Sequence, residues 1–206
     1  MKVIFLGIDG VLNSLDDFYS TVSSSKGCSH FHPKRWRGAK VPLDSFFGIT
    51  RSKAKRLAKI VAKTDAKIVL VSSWGYHYDK AKADKDCDFV SKELSDHLEK
   101  ELGAVGLSIY DTTKALEGET HPLRERGIHE WLKLHPEVDG WVVLDIAIPY
   151  QNIEEGNEYA YVASHLVATS SWPDETARKP EGGLTPRLAA QAIGILNMPI
   201  EKGEAK

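Results

Sequence analysis

Short apolar runs rich in β-forming residues recur along the chain, and amphipathic helical patterns separate them. The predicted strands span residues 3–6, 66–74, 106–113, 140–147 and 164–170. The first, VIFL, is continuous rather than alternating, which is typical of a strand buried on both faces of a parallel sheet. Helices are predicted from Thr50, over 88–102, over 124–134 and after a capping Thr185. This alternation predicts a doubly wound, Rossmann-like α/β domain with a mostly parallel sheet of about five strands.

The 206 residues predict a single domain over 1–200, followed by a charged tail over 201–206. Residues 14–49 have no clear period and are rich in Ser, Gly, Pro and aromatic residues, so we interpret them as a loop-rich, basic cap insertion after the first strand. The net charge of −2 argues against nucleic-acid or membrane binding through overall charge. Two cysteines without metal spacing fit a reducing cytoplasm, and no apolar run suits a signal peptide or membrane span. We therefore expect a cytoplasmic protein that does not bind membranes.

Polar residues follow three of the predicted strands. Asp9 follows the first, Ser72 and Ser73 end the second, and Asp145 lies at the end of the fourth. Ligands of open parallel sheets bind beyond the carboxyl ends of the strands, so these residues are expected around one pocket. A single strand-end aspartate is often only a turn residue, but polar ends on several strands favour a functional site.

Three segments resemble motifs of the haloacid dehalogenase superfamily of phosphatases. VIFLGIDGVLNS resembles the first motif, an apolar strand followed by Asp-x-Asp-Gly-Val-Leu. IVLVSSW resembles the second motif, which ends in Ser or Thr, and WVVLDIA resembles the fourth, which ends in acidic residues. The final segment, GGLTPRLAAQAIGIL, is similar to the closing segment of one branch of this superfamily. That branch is associated with RNA-repair proteins and with nucleotide or polynucleotide-end phosphatases.

The resemblance implies a role for each strand-end residue. Asp9 takes the position of the general acid/base, and Asp145 with Asp9 takes that of the Mg²⁺ ligands. Phosphate would be held by the hydroxyls of Ser72 and Ser73 and by backbone N–H groups of the loop around Gly10.

A basic phosphate ligand is also implied ahead of the fourth motif. Arg126 is the first choice, with Arg124 and Lys114 as alternatives, and a solvated surface arginine is the competing interpretation.

Two positions depart from the family pattern. Gly7 occupies the place of the nucleophilic aspartate, and Ile146 follows Asp145 where a second acid is common. A hard cation that keeps so few carboxylates should bind weakly or not at all. Losing a covalent nucleophile costs on the order of 10⁶ in rate in a well-studied case. The two departures together favour natural loss of catalysis, although an engineered Gly7 stays possible.

The cap insertion and the helix after it carry a concentration of positive charge. Asp44 is the one acidic residue between positions 26 and 63, and aromatic residues interleave with the first basic cluster. Charge suits phosphate and rings suit base stacking. For the helix from Arg51 onward a solvated basic face is favoured. The family resemblance places substrate selection in the cap, where the candidates are Phe31, Arg35, Trp36 and Arg37.

The predicted function is that of a catalytically degenerate phosphatase-fold protein. It would bind a phosphorylated ligand, a nucleotide or a nucleic-acid end, without efficient hydrolysis. Two alternatives stay open: a Mg²⁺-dependent phosphomonoester hydrolase seen in an inactivated form, and a protein-interaction module with a vestigial pocket.

Overall fold

A computed structural model describes residues 1–14, 48–113, 124–147, 150, 159–171 and 181–198. The five strands in this part of the chain are β1 Lys2–Leu6, β2 Lys67–Leu70, β3 Asp111–Thr112, β4 Gly140–Ile146 and β5 Leu166–Thr169. They form one sheet in the order β3-β2-β1-β4-β5, and every neighbouring pair is parallel. The predicted fold class is confirmed. The proposed cap residues, Lys114 and the charged tail lie outside the described residues.

Helices connect the strands. They are α1 Arg51–Thr64, α2 Ser73–Ala83, α3 Phe89–Gly103, α4 Arg124–Leu134, α5 Ala160–Ser164 and α6 Pro186–Leu196. Helices α2 and α5 were not predicted, and α2 buries only Trp74 and Gly75, so it has no helical apolar period to detect. Within the described ranges, no helix has the length and apolarity needed to cross a bilayer.

The sheet has a hydrophobic core on each face. Ile4 and Leu6 of β1 belong to one buried cluster, and Val3 and Phe5 belong to the other. Because successive side chains of a strand point to opposite faces, the two cores together require apolar residues at all four positions from 3 to 6 of β1. The unbroken VIFL run therefore reflects a central strand covered on both sides.

Three further details differ from the sequence predictions. The second strand ends at Leu70 instead of residue 74, because Ser72 is the N-cap of α2 and Ser73 and Trp74 lie in that helix. Strand β3 has two residues instead of spanning 106–113, because this edge strand pairs only with β2. The basic face of α1 was expected to be solvated, yet Lys53 is fully buried and its Nζ donates to Ser14 Oγ at 2.6 Å. Lys53 thus joins α1 to the end of the loop that follows β1.

The loop after β1 is fixed by backbone hydrogen bonds from several elements. Leu12 accepts from Thr50 N at 2.8 Å, and Val11 accepts from Leu184 N at 2.7 Å. Gly10 has a φ of +74°, and a Cβ at this position would lie 2.8 Å from Ser171 Oγ. Only glycine fits this point of the loop without strain.

Replacing Gly10 should therefore be costly. Gly10→Ala is expected to lower the free energy of unfolding by more than about 1–2 kcal/mol, because it adds a steric clash to a left-handed backbone. Urea denaturation of both proteins measures the difference.

Gly194→Ala is the matched control for this substitution. Gly194 lies within α6, and a Cβ there meets nothing within 4 Å. This change should raise the free energy of unfolding by about 0.5–1 kcal/mol, since alanine favours helix over glycine. Equal effects of the two substitutions would contradict the loop geometry.

Candidate functional site

The carboxyl ends of β2, β1 and β4 meet at one edge of the sheet. Leu6 O accepts from Val71 N at 3.1 Å, and Gly7 N donates to Leu144 O at 2.9 Å. Connections from β1 and β4 diverge here, because β2 and β3 lie on one side of β1 while β4 and β5 lie on the other. Such a switch point is where open α/β sheets bind ligands. Gly7 thus follows the strand that lies between β2, which leads to Ser72, and β4, which contains Asp145.

The space beside Gly7 is filled by the carboxyl group of Asp145. A Cβ built on Gly7 would lie 2.7 Å from Asp145 Cγ and closer still to Oδ1. Real Cβ atoms essentially never make such short contacts. Any side chain at position 7 would have to displace Asp145.

Both oxygens of Asp145 are engaged, and the residue is fully buried. Oδ2 accepts from Arg124 Nη1 and from the Tyr150 hydroxyl at 3.1 Å. Oδ1 accepts from Ile146 N at 2.8 Å. Burial raises the pKa of Asp145 above its usual value, and the neighbouring Arg124 charge opposes that rise. Burial and the nearby carboxylate likewise raise the pKa of Tyr150.

The expected Mg²⁺ ligands do not fit a cation. The Asp145 carboxylate is already bound by a guanidinium, a hydroxyl and an amide. Both carboxylate oxygens of Asp9, the other expected ligand, accept hydrogen bonds from side chains, and Gly7 offers no carboxylate. Mg²⁺ demands near-ideal octahedral oxygen coordination, commonly through one or two free carboxylates. In the ranges that the structure describes, no group of three or more His, Cys, Asp and Glu residues could hold a metal ion.

Asp9 is exposed at the same edge, and two side chains fix its orientation. Its Oδ1 accepts from Asn13 Nδ2 at 3.0 Å, and its Oδ2 accepts from Trp74 Nε1 at 3.0 Å. The Trp74 ring itself is 2% exposed. Sequence reasoning assigned Trp74 to core or rim packing and missed its bond to Asp9, because that bond joins the first turn of α2 to a loop 65 positions away in the sequence.

Ser72 is a predicted phosphate ligand whose side-chain hydroxyl can still form a hydrogen bond to a bound group. It is the N-cap of α2, and its buried Oγ has no hydrogen-bond partner among the described residues. Ser73 follows it as an exposed residue in the first turn of that helix. Burying an unpartnered hydroxyl costs free energy, so this atom is suited to contact a bound group.

The loop N–H groups are less available than the sequence suggested. Gly10 N donates to Asn13 Oδ1 at 2.8 Å, and Val11 N and Leu12 N donate to Ile8 O. A phosphate bound at these N–H groups would have to replace contacts that already exist.

Arg124, the second choice from sequence, is the arginine that reaches the strand ends. Arg126 lies two positions further along the same helix, and positions i and i+2 do not share a face. The two arginines therefore cannot both face Asp145. No periodic signal separates them in the sequence, since the distinction depends on how α4 is rotated against β4.

The buried ion pair predicts a pH-dependent loss of stability on mutation. Arg124→Met leaves Asp145 without its cation, so the pKa of Asp145 in the folded state rises further above its unfolded value. Folding then favours the protonated carboxyl group, and stability falls as pH rises through the folded pKa. We expect a loss of about 3–5 kcal/mol near pH 8 and a much smaller loss near pH 5, measured by chemical denaturation.

A double variant provides the control for that measurement. Arg124→Met with Asp145→Asn removes both charges, so the added pH dependence should disappear. A loss of the same size at both pH values in the single variant would contradict the ion-pair assignment.

Comparison with known proteins supports the assignment that the motifs suggested. The family model described as "HAD domain in Swiss Army Knife RNA repair proteins" matches residues 3–172. No curated protein and no solved structure matches the chain significantly. The match covers every strand of the sheet and the residues of the switch point. The chain therefore belongs to the HAD domain family of Swiss Army Knife RNA repair proteins.

Proposed function

We propose that the protein binds a phosphorylated ligand at the edge formed by the ends of β1, β2 and β4, without hydrolysing it efficiently. One observation carries this proposal. The position of the nucleophile is Gly7, and its side-chain space is filled by Asp145, which Arg124 holds in place. The carboxylate that fills this space accepts hydrogen bonds from Arg124, Tyr150 and Ile146 N, so it is not free to attack a phosphate as the missing nucleophile would.

Three features support binding of a phosphate group. Ser72 offers a hydroxyl without a hydrogen-bond partner in the described residues. It stands at the N-terminus of the 11-residue helix α2, where the partial positive charge favours anions. Arg124 adds a full positive charge, and its side chain is 24% exposed.

The family membership favours a nucleotide or a nucleic-acid end as the ligand, because its description refers to RNA repair. The proposed ligand-selecting residues of the cap, Phe31, Arg35, Trp36 and Arg37, would supply stacking and charge around it. Asp9 and Arg126 remain proposed as the acid/base group and a further phosphate ligand.

The protein should show almost no phosphatase activity. With p-nitrophenyl phosphate and Mg²⁺, we expect turnover near background, because a missing nucleophile costs on the order of 10⁶ in rate. Release of p-nitrophenol measures the rate. Robust turnover by the unmodified protein would refute the proposal and favour a working hydrolase.

Restoring the nucleophile should not be sufficient. Gly7→Asp is expected to remain inactive and to unfold more readily than the parent, because its Cβ overlaps the Asp145 carboxyl group. The thermal midpoint and the same colorimetric assay test both expectations. Full activity of this variant would instead indicate an otherwise intact phosphatase site.

Ligand binding should raise the thermal midpoint, since a ligand of the native state stabilises it. A panel of 3′- and 5′-mononucleotides, 5′-phosphorylated oligoribonucleotides and inorganic phosphate tests this by thermal shift. Ser72→Ala should reduce the shift, whereas Ser108→Ala, at an exposed serine before β3, should preserve it. No shift across the panel would favour a protein-interaction module.

A further inference from the structure

Asp145 is the residue expected to bind Mg²⁺ in related domains, and here its carboxylate contacts an arginine side chain. Arg124 Nη1 donates to Asp145 Oδ2, and the Tyr150 hydroxyl donates to the same oxygen. A cation at Asp145 would therefore have to displace a positively charged side chain from a fully buried carboxylate.

We propose that Arg124 replaces the divalent cation at this site, so that phosphate binds here independently of metal. This inference rests on the proposed function, and it adds that the positive charge at Asp145 comes from a side chain instead of a metal ion. It follows from the Arg124–Asp145 contact together with the glycine at position 7.

Charge explains how one arginine can serve both partners. A divalent cation held by two carboxylates forms a site of zero net charge, and the pair of Arg124 and Asp145 has the same net charge. In the described part of the chain, Asp145 is the carboxylate bonded to the Arg124 guanidinium, and Gly7 contributes no negative charge that would repel a phosphate. Arginine has five N–H donors in a planar fork, so one edge can bind a carboxylate while other donors reach an anion. The 24% exposure of its side chain leaves part of the guanidinium or stem in contact with solvent.

Direct metal titration tests the exclusion of the cation without any phosphate ligand. Mn²⁺ is used as the probe, because its electron paramagnetic resonance signal falls on binding. The unmodified protein should leave the signal of millimolar Mn²⁺ unchanged. Stoichiometric loss of signal that Asp145→Asn abolishes would overturn the inference.

Asp145→Asn gives the sharpest test, because the two kinds of site predict opposite signs. In a metal site this change removes a ligand and weakens Mg²⁺-supported phosphate binding. In an arginine site it removes a neutralising charge, so Arg124 attracts the anion more strongly. Isothermal titration with inorganic phosphate in EDTA should show affinity at least about fivefold higher than for the parent. Equal or weaker affinity would overturn the inference.

Variants of Arg124 complete the test. Arg124→Gln should weaken phosphate binding in EDTA, and Arg124→Lys should recover part of it. Arg187→Gln, at an exposed position of α6, is the matched control and should leave affinity unchanged. Unchanged affinity of Arg124→Gln would exclude Arg124 as a phosphate ligand.

The outcomes separate this inference from the proposed function. If phosphate binds the parent only when Mg²⁺ is present, the proposed function stands and this inference fails. If inorganic phosphate and the nucleotide panel fail to bind with or without Mg²⁺, the proposed function fails, and Arg124 is also excluded as a phosphate ligand. In that case the Mn²⁺ titration alone tests whether Asp145 binds a metal ion.

Discussion

The buried ion pair between Arg124 and Asp145 determines the chemistry of the strand ends. A fully desolvated carboxylate is unfavourable unless a cation and hydrogen-bond donors compensate it. Arg124, Tyr150 and the amide of Ile146 provide that compensation within the protein itself. The orientation that satisfies Asp145 also places its carboxyl group against Gly7, so a nucleophile at position 7 and this ion pair exclude each other.

This exclusion links the glycine at position 7 to the proposed replacement of the metal ion by Arg124. Asp145 keeps a buried position that ordinarily serves a metal, but its negative charge is neutralised by a side chain. Once the carboxylate at position 7 is absent, less negative charge remains to attract Mg²⁺, and one arginine balances what is left. The glycine at position 7 and the proposed replacement of Mg²⁺ by Arg124 thereby agree with one change in the charge balance of the site. A phosphate would still find an unpartnered hydroxyl at Ser72 and positive charge at Arg124.

Prediction from sequence succeeded where local patterns carry the information. Central strands covered on both faces produce unbroken apolar runs, so β1, β2 and β4 were recognised together with the polar residues at their ends. Prediction failed where packing decides. Helix α2 lacks a helical apolar period, and Lys53 is buried on a face expected to be solvated. Each of these depends on contacts between segments far apart in the chain.

The sequence by itself determined the fold class, the set of strand-end residues and the absence of a carboxylate at position 7. These follow from hydrophobic periodicity and from residue identity, which are local properties. Only the tertiary structure decided that Asp145 fills the space beside Gly7, that Arg124 neutralises it, and that Trp74 and Asn13 orient Asp9. Those outcomes depend on the rotation of α4 and the path of the loop after β1, which are set by packing across the whole sheet.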